Sequence, residues 1–190
     1  MAVNVWESVP ENPSFKYLQN IDNWKPRENL YQVLQGISKA HVESFNYVLR
    51  EGLTRAVQDI VPLELELPNE DRIKLEIRDA VIGCPTIHKD SIQATDFRVY
   101  PVECRSRGTT YKGKLQLTVV WSKNGIVQDT IEKIVGEVPV MVKSNVCNIA
   151  RMTQKQLIRK GEEPEEFGGY FIVNGNEKIV RMLIMQRRNY

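Results

Sequence analysis

Between Glu103 and Lys114 the stretch ECRSRGTTYKGK interleaves Arg105, Arg107, Lys112 and Lys114 with Tyr111 and small residues. A guanidinium offers a planar fork of donors that matches two phosphate oxygens, an ammonium adds a compact charge, and backbone N–H groups near Gly108 add neutral donors. Such a stretch suits contact with a polyanion. The alternative is a solvated loop whose arginines pair with nearby carboxylates. A second basic group closes the chain: Lys178, Arg181, Arg187 and Arg188 stand in the last 13 residues with no acid among them.

Catalytic chemistry has thinner support. The sequence contains no GxxxxGK[ST] or GxGxxG phosphate loop, no DxD pair and no serine in a nucleophile-elbow context. Cys104 lies beside Arg105, which could favour its thiolate, but no histidine is positioned to serve it. His41 falls on the apolar stripe of a helix and reads as a core residue, and His88 lies in a loop-like context. Cys84, Cys104 and Cys147 are widely spaced without a CxxC pair, so they read as reduced thiols and not as a disulfide framework or zinc site. The carboxylates of EEPEE, Glu162, Glu163, Glu165 and Glu166, are expected to be solvated. No catalytic or metal-ligating residue is assigned.

The elements that must carry these residues follow from periodicity. Residues 1–25, with Pro10 and Pro13, read as an extended arm, and residues 26–190 as one domain. From Pro26 onward Leu30, Leu34, Ile37, His41, Phe45, Val48 and Leu49 recur at helical spacing, with a break or cap expected at Gly52 and a second helical piece to about Val61. After Pro62 the period becomes two: LELEL and RIKLEIRDAVI alternate around the turn PNED and predict a hairpin. GKLQLTVVW and GIVQDTIEKIVG flank Asn124-Gly125, and YFIV and EKIVRMLIM flank Asn174-Gly175. Both Asn-Gly steps tolerate the positive φ of tight hairpin turns. VPVMV predicts a short buried strand. Thr153 predicts the cap of a brief helix QKQLIRK that ends at Gly161. The expected fold is α+β, an antiparallel sheet built from hairpins and packed with an N-terminal amphipathic helix pair. GEEPEEFGG is the one candidate hinge.

Composition is that of ordinary globular protein: 190 residues, 42% hydrophobic and 26% charged, with a net charge of only +2. No apolar run reaches the roughly 18–20 residues of a membrane span, and no secretory leader is apparent, so an intracellular protein is expected. The small net charge conceals segregation. Residues 57–79 hold seven acids against three bases, whereas residues 103–123 hold five bases against one acid. One surface facing phosphates and another facing protein or solvent would need this arrangement.

Four strings act together at this point: HVESFNYVLREGL, YPVECRSRGTTYKGKL, GEVPVMVKSNVCN and GGYFIVNGNEKIVRMLIMQRRNY. In order and approximate spacing they resemble the N-terminal part of the second-largest subunit of multisubunit DNA-directed RNA polymerases, and are most similar to the eukaryotic RNA polymerase I version. The resemblance implies part of the protrusion, a mixed helix-and-sheet domain on one rim of the DNA cleft, truncated at its C-terminal end. It implies a nucleotidyltransferase complex in which this chain is not itself catalytic. Mg²⁺ and structural zinc would belong to the parent complex, with no cofactor in this chain. Implied partners are the DNA template, the DNA–RNA hybrid, the largest subunit and other polymerase subunits, with no membrane, in the nucleus and, for polymerase I, the nucleolus. Arg105, Arg107, Lys112 and Lys114 would face the cleft. Arg187 and Arg188 would contact DNA or pair with acids of neighbouring polymerase parts, and Glu177 with Lys178 would form an ion pair fixing the last hairpin. A free-standing nucleic-acid-binding module and a protein scaffold whose arginines pair internally remain the alternatives.

Overall fold

The computed structural model describes residue 16 and residues 30–69, 71–87 and 96–188. The expected arm therefore lies outside the described residues apart from Lys16, as do Pro26 and His88. Helix α1 (Leu30–Tyr47) runs without interruption through a π-helical turn, Val48–Gly52, into α2 (Leu53–Gln58). The chain does not break at Gly52, whose φ of −62° is ordinary helix. The wider turn instead resets the apolar stripe: Leu49, Leu53 and Val57 follow one another at four-residue spacing, and all three are at least partly buried. Ile37, on the stripe read from the sequence, is 70% exposed.

Four strands form an antiparallel sheet in chain order: β1 (Leu63–Glu66), β2 (Arg72–Ile82), β3 (Lys112–Lys123) and β4 (Ile126–Pro139). Both expected hairpins are present. At the second, Asn124 and Gly125 have φ of 53° and 83°, the left-handed pair a tight turn demands. Asn124 also joins the two hairpins. Its N–H donates to Arg72 O at 2.8 Å, its Oδ1 accepts the Arg72 N–H at 2.8 Å, and its Nδ2 donates to Asp71 at 2.9 Å. VPVMV is not a separate strand. Val138 and Pro139 end β4, and Met141 makes an isolated bridge to Phe171.

The stretch read as a basic loop is helix at its start, Glu103–Arg107, and strand at its end, Lys112–Lys114. α3 (Pro101–Arg107) starts with proline at its first position and ends at Gly108, the polarity that proline and glycine favour at helix ends. α4 (Gln154–Arg159) follows a capping box in which the Thr153 N–H donates to Gln156 Oε1 at 2.9 Å. A two-stranded ribbon, β5 (Phe171–Val173) and β6 (Asn176–Lys178), turns at Asn174-Gly175. β6 takes only Glu177 and Lys178 of the residues expected to be strand, since β5 offers no more partners. Residues 179–187 lie outside any helix or strand, and Ile179, Val180, Met182, Leu183, Ile184 and Met185 are exposed.

The core gathers where the inner ends of β3 and β4 meet α3, α4 and the ribbon: Tyr100, Cys104, Tyr111, Val140, Val142, Ile149, Leu157 and Ile172. Burying each of the larger side chains contributes about 1.5–3 kcal/mol. Tyr111, which stands within the basic stretch, is wholly buried; its hydroxyl accepts the Asn148 N–H at 3.0 Å. The helix pair divides its packing. α2 lies against β2. α1 reaches the other half through Asn46, which accepts the Asn145 N–H at 2.8 Å, and through Phe45, edge-on to Phe171 at 5.4 Å.

Candidate nucleic-acid interface

Arg105 leaves α3 toward the ribbon and the 162–166 segment, and there both its terminal nitrogens are engaged. Nη1 donates to the Tyr170 hydroxyl at 2.8 Å and to Glu177 at 3.0 Å, with Glu166 at 3.8 Å, while Nη2 pairs with Glu162. The Arg105 side chain is 25% exposed and that of Glu162 not at all. The remaining oxygen of Glu162 accepts the Val102 N–H at 2.6 Å, and Glu166 accepts the Gly168 N–H at 3.1 Å. Burial works against the guanidinium charge, but Tyr170, Glu162 and Glu177 outweigh it and hold the pKa above the ordinary arginine value. Burial pushes the Tyr170 phenol up, with Glu166 adding to it.

This arrangement corrects three expectations. The guanidinium of Arg105 is engaged by carboxylates within the chain, the arrangement that the alternative of internally paired arginines describes, because α3 docks this face onto the ribbon. Glu162 and Glu166 are buried ion-pair partners and not solvated acids, so GEEPEEFGG is packed and not a hinge. Glu177 closes on Arg105, 72 positions away, and not on Lys178. The quadruple-acid run held the only hint of these partners, and it read as surface because four neighbouring acids usually repel burial.

The other basic residues are distributed differently. Arg107 is exposed at the end of α3, and among the described residues it forms no ion pair. Lys112 and Lys114 alternate onto one face of β3. Lys112 pairs with Glu137 across the sheet, and both side chains are more than two-fifths exposed. Lys114 is half-buried opposite Glu137 in the ladder. Arg187 and Arg188 are exposed beyond the ribbon, in the segment without regular structure. The structure thus sets Arg107, Lys112 and Lys114 on adjoining elements and leaves Arg187 and Arg188 on a separate one.

Cys104 is buried beneath Arg105, and burial raises its thiol pKa, contrary to the activation its basic neighbour suggested. Cys84, Cys104 and Cys147 are all free thiols. Among the described residues no group of three or more His, Cys, Asp or Glu side chains is placed to hold a metal ion. The carboxylates that do converge enclose a guanidinium. No helix among the described residues is long and apolar enough to cross a membrane.

Comparison with known proteins places this chain in a family. The family model described as "RNA polymerase beta subunit" matches residues 36–186. The chain is 48% identical over 185 residues to "DNA-directed RNA polymerase I subunit RPA2" of Homo sapiens, covering 97% of this chain and 16% of the relative. It is 34% identical to the Drosophila melanogaster subunit of the same description, covering 96% of this chain and 17% of that relative. Against "DNA-directed RNA polymerase I subunit RPA135" of Saccharomyces cerevisiae it is 37% identical, covering 86% of this chain and 15% of the relative. The chain thus spans about a sixth of the length of these relatives. The chain belongs to the RNA polymerase beta subunit family.

Proposed function

We propose that this chain forms part of one wall of the DNA cleft in a DNA-directed RNA polymerase I, where it holds nucleic acid through contacts that do not depend on base sequence. The observation that carries the reading is the 48% identity to a polymerase I subunit across 97% of the chain. Exposed Arg107, with Lys112 and Lys114 on the adjoining strand, supplies charge suited to a phosphate backbone. Arg187 and Arg188 form a second, more distant contact. Arg105 acts indirectly, by anchoring the helix that carries Arg107. The chain is a non-catalytic part of the nucleotidyltransferase, working with the largest subunit, other polymerase subunits, DNA template and DNA–RNA hybrid in the nucleus, within the nucleolus. Mg²⁺ chemistry and structural zinc belong to other parts of that complex.

The scaffold reading keeps one specific support, since it requires arginines paired within the chain and Arg105 is so paired. Salt-dependent binding separates the two. In polymerase assembled with the Arg107→Ala, Lys114→Ala chain, nucleic-acid retention should fall uniformly across sequences. The slope of log affinity against log salt should drop by about 2. An unchanged slope favours the scaffold.

A further inference from the structure

From Ile126 to Glu137 every residue of β4 is exposed, and among the described residues no strand pairs with its outer side. An open row of N–H and C=O groups is a template for another strand, which proteins commonly blunt with bulges and charges. The register of β4 against β3 slips at Gln128 and at Val135. Between those bulges Asp129–Ile134 runs unbroken against Gln116–Trp121. Within this window Ile131 is 48% exposed and Ile134 53%.

The window is complementary to itself. Asp129, Ile131 and Lys133 alternate onto one face. A twofold axis perpendicular to an extended sheet keeps every residue on its own face, so only residues of equal parity can stand opposite one another. Among those registers, the one with Ile131 opposite its own copy sets Asp129 against Lys133 at both ends. It also sets Thr130 against Glu132 on the other face. Shifting the centre by one residue either way loses the charge pairs, and centring on Lys133 sets Asp129 against Glu137. We propose that β4 is a homodimerisation edge. Two copies of this chain join antiparallel about Ile131 into one continuous sheet with four strands from each. This pairing is independent of the nucleic-acid reading, because Asp129–Lys133 stands opposite Leu117–Trp121 in the ladder, and not opposite Lys112 and Lys114.

Sedimentation velocity of the 190-residue chain across a concentration series provides the test, using surface substitutions that leave the core untouched. Lys133→Asp places Asp129 opposite aspartate twice, and Asp129→Lys places lysine opposite Lys133 twice. Each should weaken self-association about tenfold or more. Mixing the two variants in equal amounts restores opposite charges at both ends and should recover a dimer that neither forms alone. A wild-type chain monomeric throughout would overturn the pairing. So would association that neither variant alters, which would assign it to the exposed apolar run Ile179–Met185, or two weakened variants whose mixture fails to recover.

Discussion

Arg105 compensates charges that water cannot reach, so its removal should cost more than a surface arginine's would. Arg105→Met leaves Glu162, whose side chain has no exposed surface, without its counter-ion. We expect about 3 kcal/mol of destabilisation in urea unfolding. Adding Glu162→Gln should recover part of that loss, since the stranded charge goes with it. Asp96 behaves in the opposite way with acid. The Arg98 N–H and side chain, the Tyr100 hydroxyl and Lys160 hold its carboxyl below the ordinary value of 3.8. A depressed acid stabilises the fold above its unfolded pKa and loses that contribution as pH falls toward its folded pKa. Asp96→Asn should therefore lower the urea midpoint at neutral pH, with the gap from wild type narrowing as pH falls below 3.8. A gap constant with pH would mean that the hydrogen bonds, not the charge, carry the contribution.

The two Asn-Gly turns differ in what surrounds them. Gly125 has φ of +83° in open space, whereas Gly175, at +76°, would set a Cβ 2.7 Å from the Gly108 Cα. Gly125→Ala should thus cost about 1 kcal/mol for its left-handed backbone alone. Gly175→Ala should cost clearly more and loosen α3 from the ribbon, visible as a larger drop in melting temperature. The turns themselves were legible, because the Asn-Gly signal is local: φ and two residue types are enough. The hairpin patterns and the Thr153 cap were legible for the same reason. What escaped depends on distant chain. α3 read as a loop although Pro101 and Gly108 mark its ends, since Arg105 and Arg107 suggested a solvated stretch. The length of β6 escaped too, because it is set by how few partners β5 offers and not by the apolar run that follows. Of the candidate site, the basic residues were legible by type. Arg105's engagement was not, because its partners lie 57 to 72 positions away.

At the scale of the molecule, exposed Arg107 and the principal hydrophobic cluster meet on the end of the fold where α3 and the ribbon pack together. The basic surface rests on the best-buried part of the chain, since Cys104, Tyr111 and Ile172 lie beneath it. Arg107→Ala should therefore leave unfolding by urea unchanged within about 0.5 kcal/mol while altering salt-dependent retention, in contrast to Arg105→Met. The opposite end differs in kind. β3 and β4 are 12 and 14 residues long, yet the principal cluster touches them only near Lys112 and Pro139. β3 is backed by β2 as far as Lys123, opposite Ile73, whereas β4 is a cantilever, clamped near Pro139 and held along its outer span by β3 alone. Amide exchange should report that asymmetry, with protection greatest at Tyr111 and Val140 and declining toward Ile126. A load applied at the tip, such as a bound strand, would be transmitted to the clamp beneath α3.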